Sequence, residues 1–543
     1  MSENISAGAH GSPLEHPESA GGIIDQPGLL FPDVIANHAK FLGRRTAVIC
    51  GGDRLSWIDF DRRTNKVANA LIATGIGKGD KVCLLMQNSM AMFELIWGTV
   101  KAGAVVVPLN SMMSPTALGL MINNSDAKLL FVDATTATAV EAIGPRLALD
   151  AHCIYMLGAA PAPWPTFAPA IAAAHANAPR VDIAMSDSMN IIYSSGTTGT
   201  PKGIELSHFA RHNYSLGCGP GLAIDRFALS ICTTPLYTNG TWLMMLATLY
   251  WGATLVLMPK FSAKGFLETV EKERCTHTFM VPTQYIGILE SGELAHHDAT
   301  SMKVFLSAGS ALSGKTYDQL CAAFPGAGVY ELYGQTEGFL TLAGPCDFAL
   351  GKRGSVGMPI FGSDVCIIDE QGREVPRGEL GEIVGYGPGL MKGYYKDPQR
   401  TAEIIWKDPR GRTYLRSGDI GRIDLDGYLY IAGRVKDMIK SGGINVFASD
   451  IEEIFIRHPA VSEVAAIGVP HEKWGETPML LAIRRPGATV TEAELMEWGN
   501  ARLGRYQRVS VVEFRSSFPR ASHDKIQKRA LRDPYWVDHE RKI

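Results

Sequence analysis

The stretch Ser194 to Gly203 reads SSGTTGTPKG and directly follows the apolar run Met189 to Tyr193. Small hydroxyl side chains and glycines let successive backbone N–H groups and hydroxyls converge on an anion, because glycine accepts positive φ and no bulky group blocks the approach. Lys202 adds a mobile positive charge. The same composition also suits a surface turn. It is not the Walker A pattern, in which Gly-Lys is followed by a Ser or Thr that holds Mg²⁺; here Lys202 stands between Pro201 and Gly203. Cleavage at a γ phosphate is therefore disfavoured, and the rest of the chain must say which phosphate is at stake.

Four later segments carry chemistry-bearing residues: YGQTEG (Tyr333 to Gly338), YLRSGDIG (Tyr414 to Gly421), GRVKDMIKSGG (Gly433 to Gly443) and PRASHDKIQK (Pro519 to Lys528). Each alone has an ordinary interpretation. Glu337 suits a helix start, Asp419 a turn, and Lys525 a solvated surface. In their order and spacing, however, they resemble the adenylate-forming superfamily, in its acyl- and aryl-CoA synthetase branch, over roughly Thr46 to Lys528. That resemblance implies attack of a carboxylic acid on the α phosphate of ATP, release of pyrophosphate, and transfer of the acyl group from AMP to CoA.

Carried over position by position, the resemblance implies that Ser194, Ser195, Gly196, Thr197, Thr198 and Lys202 hold the triphosphate. It places Tyr333 on the adenine, Thr336 on the α phosphate, and Glu337 with Thr197 on Mg²⁺. Asp419 is the implied ribose anchor, supported by Arg434. Lys525 is the implied catalytic lysine, bridging the acid and the nucleotide during adenylation. Lys436 falls in the implied hinge, and Lys440 is a further nucleotide contact. Ser441, Gly442 and Gly443, with Lys260, are implied on the CoA side. The chemistry needs such a cluster, since a carboxylate approaching a phosphate must meet cations that neutralise the charge and hold the reactants in line.

Two departures from the family pattern bear on the site. Asp524 stands where Gly usually precedes the catalytic lysine, and its carboxylate would screen part of the Lys525 charge. In PLYTNGT, Thr238 stands where many aryl and fatty-acid ligases carry His. His208, in LSH, is expected to make a structural hydrogen bond. Between Asp225 and Glu268 the chain has no acid, so nothing there would pair with the ammonium of an amino acid substrate, and an uncharged acyl or aryl tail is expected. Its pocket is expected among Tyr237, Thr238, Asn239, Thr241, the Ser307 to Ser310 stretch with Ala308 and Gly309, and Phe339 with Leu340. Nothing after residue 543 offers a carrier domain, so diffusible CoA is the expected acceptor. The alternatives are a stand-alone ligase loading a carrier protein and a non-catalytic nucleotide-binding homologue.

The elements that must position these residues follow from periodicity. From Phe60 onward, helical repeats alternate with short apolar runs such as DKVCLLM and GAVVVPLN, which is the rhythm of an α/β domain with a largely parallel sheet. Phe227 to Pro259 contains no charged residue, yet Pro235, Gly240 and Gly252 divide it, predicting buried strands near 229–234 and 253–258 around a helix at 241–250. VCIIDEQGREVPRGELGEIVGYGPGL predicts a small β subdomain. Ser449 and Glu452 have the spacing of a capping box, predicting a helix start there. The expected fold is α/β: a tail at 1–25, a large N-terminal domain at 26–433 built of α/β sheet layers plus the small β subdomain, and a hinged, mobile α+β domain at 434–543.

At 543 residues and 46% hydrophobic content the chain has material for more than one core. A net charge of −3 with no basic block argues against nucleic acid as a principal partner. The nine cysteines are scattered without ligand-like spacing, which suits the cytoplasm and not structural zinc. The N-terminus lacks the charged and apolar regions of a secretory signal, no integral membrane segment is expected, and a homodimer is the default oligomer.

Overall fold

The computed structural model describes residues 29–157, 163–194, 202–360, 362–442, 444–520 and 526–537. The tail expected at 1–25 lies outside them. Two large sheets organise the N-terminal part. In the nine-stranded sheet, the central strands run parallel from Gly328–Gly334 through Val304–Ser307, His277–Met280, Leu229–Cys232 and Thr254–Leu257 to Thr46–Cys50. The seven-stranded sheet places Ser188–Ser194 between Val105–Pro108, which is parallel to it, and Lys202–Ser207, which is antiparallel. The loop that should hold phosphates therefore joins two hydrogen-bonded strands, with Ser194 paired to Lys202 at its base.

The charge-free segment is core, as its punctuation predicts. Strands Leu229–Cys232 and Thr254–Leu257 flank the helix Asn239–Tyr250, whose Trp242 through Ala247 are all buried. A helix apolar on every side is stable only when surrounded by protein, and this one packs on the helix His208–Gly221. Among the described residues no helix is long and apolar enough to cross a membrane.

The β subdomain is an antiparallel sheet built on Asp364–Ile368, Gly381–Tyr386, Thr413–Ile423 and Leu429–Arg434. After Arg434 a single 3₁₀ turn, Val435–Asp437, leads into a separate sheet of Ile439–Ser441, Ile444–Val446, Val461–His471, Gly475–Arg484 and Val511–Phe514. That sheet has its own apolar cluster, including Ile439, Ile451, Phe455, Leu480 and Leu495. The mixed α/β architecture with a distinct C-terminal unit agrees with the expected fold class.

One expected start signal is not used as such. The helix is Ala448–Phe455, and Phe447 precedes it without a side-chain cap. Ser449 Oγ instead donates to the carbonyl of Ala432, at the end of the β subdomain. Glu452 accepts from the Ala466 N–H at 2.7 Å and from Lys528 Nζ at 2.7 Å. Both side chains find tertiary partners that outcompete the local cap.

Candidate active site

The segment around Asp419 owes its shape to three adjacent residues. Gly418 takes φ +70°, which glycine tolerates without strain, and Ser417 Oγ accepts the Asp419 N–H at 3.0 Å. Cross-strand register then sets Asp419 opposite Arg434, with Arg434 Nε 3.2 Å from Asp419 Oδ1. The second carboxylate oxygen accepts the Tyr333 hydroxyl at 2.8 Å. Gln335 ties the same turn to the YGQTEG segment by donating to the Ser417 carbonyl at 2.6 Å. Arg434 and Tyr333 thus meet around one buried carboxylate.

Glu337 lies beyond Tyr333 on the same turn. Its Oε1 accepts the Tyr394 hydroxyl at 2.9 Å, and its carbonyl accepts the Met391 N–H at 2.8 Å. The Tyr394 ring also lies under Lys202, with Nζ 5.4 Å from the centroid, within reach of a cation–π contact. Tyr394 therefore links the base of the 195–201 loop to Glu337. Sequence reasoning missed it, and no local pattern in GYYKD could have shown a partner so far away in the chain. A carboxylate with one oxygen committed to a single neutral donor suits a hard cation that prefers oxygen ligands and retained water.

At the acyl end, Thr238 Oγ1 donates to the Pro235 carbonyl at 2.9 Å and lies 2.8 Å from Thr241 Oγ1. Thr234 joins through Thr241 at 2.6 Å. The residue at the usual histidine position is thus spent on holding the PLYTNGT turn. Tyr237 is half-buried, and burial pushes its phenol up to about 12, so it is a neutral donor at physiological pH. Gly309 takes φ +90° in the facing loop, and Leu340 is buried in the main core beside Ala308. Phe339 is placed differently. It packs with Val365, Ile367, Ile383 and Leu429 in the β subdomain, its ring 5.9 Å from that of Tyr333.

His208 corrects an expectation. The ring is buried, and among the described residues neither Nδ1 nor Nε2 has a hydrogen-bond partner; its backbone N–H donates to the Asp187 carbonyl. Burial lowers its pKa to about 4, so it is a neutral ring packed at the start of its helix.

On the C-terminal side, the Lys440 N–H donates to Glu476 Oε2 at 3.2 Å, and Ser441 is buried. Gly442 has φ +59°, and a Cβ there would sit 2.6 Å from the Trp474 ring. Arg532 Nη1 donates to the Lys436 carbonyl at 3.0 Å, tying the final helix to the start of this unit. Lys260 is exposed. Ser195, Gly196, Thr197, Thr198, Gly443, Asp524 and Lys525 lie outside the described residues, as does the Ser194 side chain. Thr336 is half-buried between Gln335 and Glu337.

The model of the family described as AMP-binding enzyme matches residues 35–395, and that of the AMP-binding enzyme C-terminal domain matches residues 450–525. A feruloyl-CoA synthase of an Amycolatopsis species is 32% identical over 504 residues, 91% of this chain and 97% of that protein. A long-chain-fatty-acid–CoA ligase of Mycobacterium tuberculosis is 32% identical over 89% of this chain and 93% of its own length. The ATP-bound crystal structure of MatB from Rhodopseudomonas palustris superposes with a TM-score of 0.83 at 29% identity, covering 93% of this chain and 99% of that one.

Proposed function

We propose, because the chain belongs to the AMP-binding enzyme family, that it is an AMP-forming acid–thiol ligase: it joins a carboxylic acid to the α phosphate of ATP with release of pyrophosphate, then passes the acyl group to CoA. The observation that carries this reading is the meeting of Tyr333, Asp419 and Arg434 on one side of the YGQTEG turn with Glu337, Tyr394 and Lys202 on the other. The first group suits a nucleoside, offering a ring face and a carboxylate that can accept from ribose hydroxyls. The second group suits its phosphates. Loading of a carrier protein is not favoured, since the relatives compared are named for CoA thioesters.

In the first half-reaction a substrate carboxylate oxygen attacks the α phosphorus and pyrophosphate leaves. Lys202 and the 194–198 segment draw charge from the departing phosphates, Thr336 orients the α phosphate, and Lys525 bridges the two reactants. Glu337 and Thr197 would hold Mg²⁺, which supplies charge neutralisation at the phosphates. In the second half-reaction the CoA thiolate attacks the acyl carbon and AMP leaves. For that step the unit beyond Arg434 turns at Lys436, withdrawing Lys525 and presenting Ser441, Gly442 and Gly443. Lys440 and Lys260 provide further contacts to nucleotide and CoA. The acid lies among Tyr237, Thr238, Asn239, Thr241, Ala308, Gly309 and Leu340, with Phe339 buttressing the adenine wall; aryl, cinnamoyl-type and medium-chain fatty acids are the classes proposed. The protein works as a cytoplasmic homodimer, with domain limits at 26–433 and 434–543.

The test separates the half-reactions. Lys525→Ala should abolish acid-dependent pyrophosphate release yet leave CoA thioester formation from supplied acyl-AMP intact. Equal loss of both steps would remove the role given to Lys525.

A further inference from the structure

Arg211, on the helix His208–Gly221, is completely buried, at 0% exposure. Its Nε donates to Asn190 Oδ1 at 2.8 Å and its Nη1 to Asn239 Oδ1 at 2.8 Å. The guanidinium lies between two rings, 5.5 Å from the Tyr214 centroid and 5.1 Å from that of Trp242. Among the described residues no Asp or Glu forms an ion pair with it, and Nη2 has no hydrogen-bond partner. Asn190, also at 0% exposure, leaves its Nδ2 without a partner. Because the guanidinium is planar, its Nε and Nη2 hydrogens project along the same edge, the edge that faces Asn190. Among the described residues, two buried donors with no acceptor, Arg211 Nη2 and Asn190 Nδ2, therefore belong to one hydrogen-bonded pair beside a positive charge with no counterion, an arrangement proteins avoid unless something else supplies the acceptor.

The position of this cluster says what that acceptor belongs to. Asn239 is the first residue of the helix Asn239–Tyr250, which has no side-chain cap because Thr238 bonds elsewhere. It lies in the PLYTNGT turn assigned above to the acyl pocket. Tyr214, one turn beyond Arg211, donates to the Gly338 carbonyl at 2.8 Å, next to Phe339 and Leu340. The arginine thus lies between the PLYTNGT turn and the segment that follows Gly338, the two segments assigned above to the acyl pocket.

We propose that the acid activated by this enzyme carries a second oxyanion at the far end of its acyl tail, a carboxylate or a sulfonate, which binds Arg211 and accepts from Asn190. This rests on the ligase reading above and narrows its substrate class. The lack of acidic residues between Asp225 and Glu268 excludes a partner for an ammonium-bearing tail; it is the surrounding an anionic tail requires. The charged tail proposed here departs from the uncharged tail expected from the sequence.

The experiment measures ATP- and CoA-dependent pyrophosphate release with matched acids: adipate against hexanoate and monomethyl adipate, terephthalate against its monomethyl ester, and 4-sulfobenzoate against 4-methylbenzoate. The wild-type protein should prefer the charged member of at least one set by about 100-fold or more in kcat/KM, the range expected when a buried ion pair loses one partner. Which set responds distinguishes carboxylate from sulfonate. Arg211→Met should bring that ratio towards one, and Arg211→Lys should keep part of it. Should Arg211→Met fail to fold, the wild-type ratios decide alone. Turnover of neutral-ended acids at rates equal to or above all charged partners overturns this inference and leaves the ligase reading standing. No pyrophosphate release with any acid overturns both.

Discussion

Tyr394 is the residue that most changes the chemistry of the site beyond what its motifs contain. Its hydroxyl holds one oxygen of Glu337, which fixes the carboxylate so that the other oxygen can serve a cation. Burial and the adjacent Glu337 charge push the Tyr394 phenol well above its usual range, so it donates at any physiological pH. Tyr394→Phe should slow acid-dependent pyrophosphate release by roughly three- to tenfold, the value of one net hydrogen bond of about 1 kcal/mol. It should also raise the Mg²⁺ concentration needed for half-maximal rate, while thioester formation from supplied acyl-AMP stays unchanged. A rate loss with no change in Mg²⁺ dependence would place Tyr394 in packing alone.

At the scale of an element, the strand Gly328–Gly334 carries both Tyr333, proposed to face adenine, and a carboxyl that has little access to water. Glu331 lies beside Ser307 and Ala343 in register, and burial raises its pKa to about 7, opposed only by the Leu312 N–H. The folded-state value is above the ordinary one, so the protonated form is the stabilising one. That contribution is complete below about pH 4.5 and is lost as pH rises through about 7. Glu331→Gln lacks the penalty of ionisation. The variant should therefore match the wild type in thermal stability at pH 5 and exceed it by about 1–3 kcal/mol at pH 8. A variant less stable at pH 8 would mean that the strand needs the ionised carboxylate.

For the molecule as a whole, the proposed turn about Lys436 makes the SGG segment a test of the second half-reaction only. Gly442 has φ +59° and lies against Trp474, so a side chain there disturbs the fold of the C-terminal unit before any path for CoA is blocked. Gly443→Leu is the cleaner change: it should leave pyrophosphate release near its normal rate and reduce CoA thioester formation at least about tenfold, as steric loss of thiol access requires. Normal CoA turnover in that variant would move the thiol's path elsewhere. Gly442→Leu should instead lower the melting temperature, readable by calorimetry without any substrate.

Residue types and their order along the chain determined the family, the reaction and the α/β architecture, because phosphate chemistry demands small hydroxyls, glycines and lysines in short contiguous runs. The charge-free segment 227–259 was likewise readable as core, since its prolines and glycines fix where strands and helix must break. What depended on partners distant in sequence was decided by the tertiary structure alone. Ser449 and Glu452 have capping spacing but are claimed by Ala432, Ala466 and Lys528. Among the described residues His208 has no hydrogen-bond partner for its ring, and Phe339 packs against the β subdomain. Arg211 reads in sequence as one more basic residue on a helix. Only packing strips it of water and of any counterion, and a charge so placed acquires its meaning from the dielectric around it.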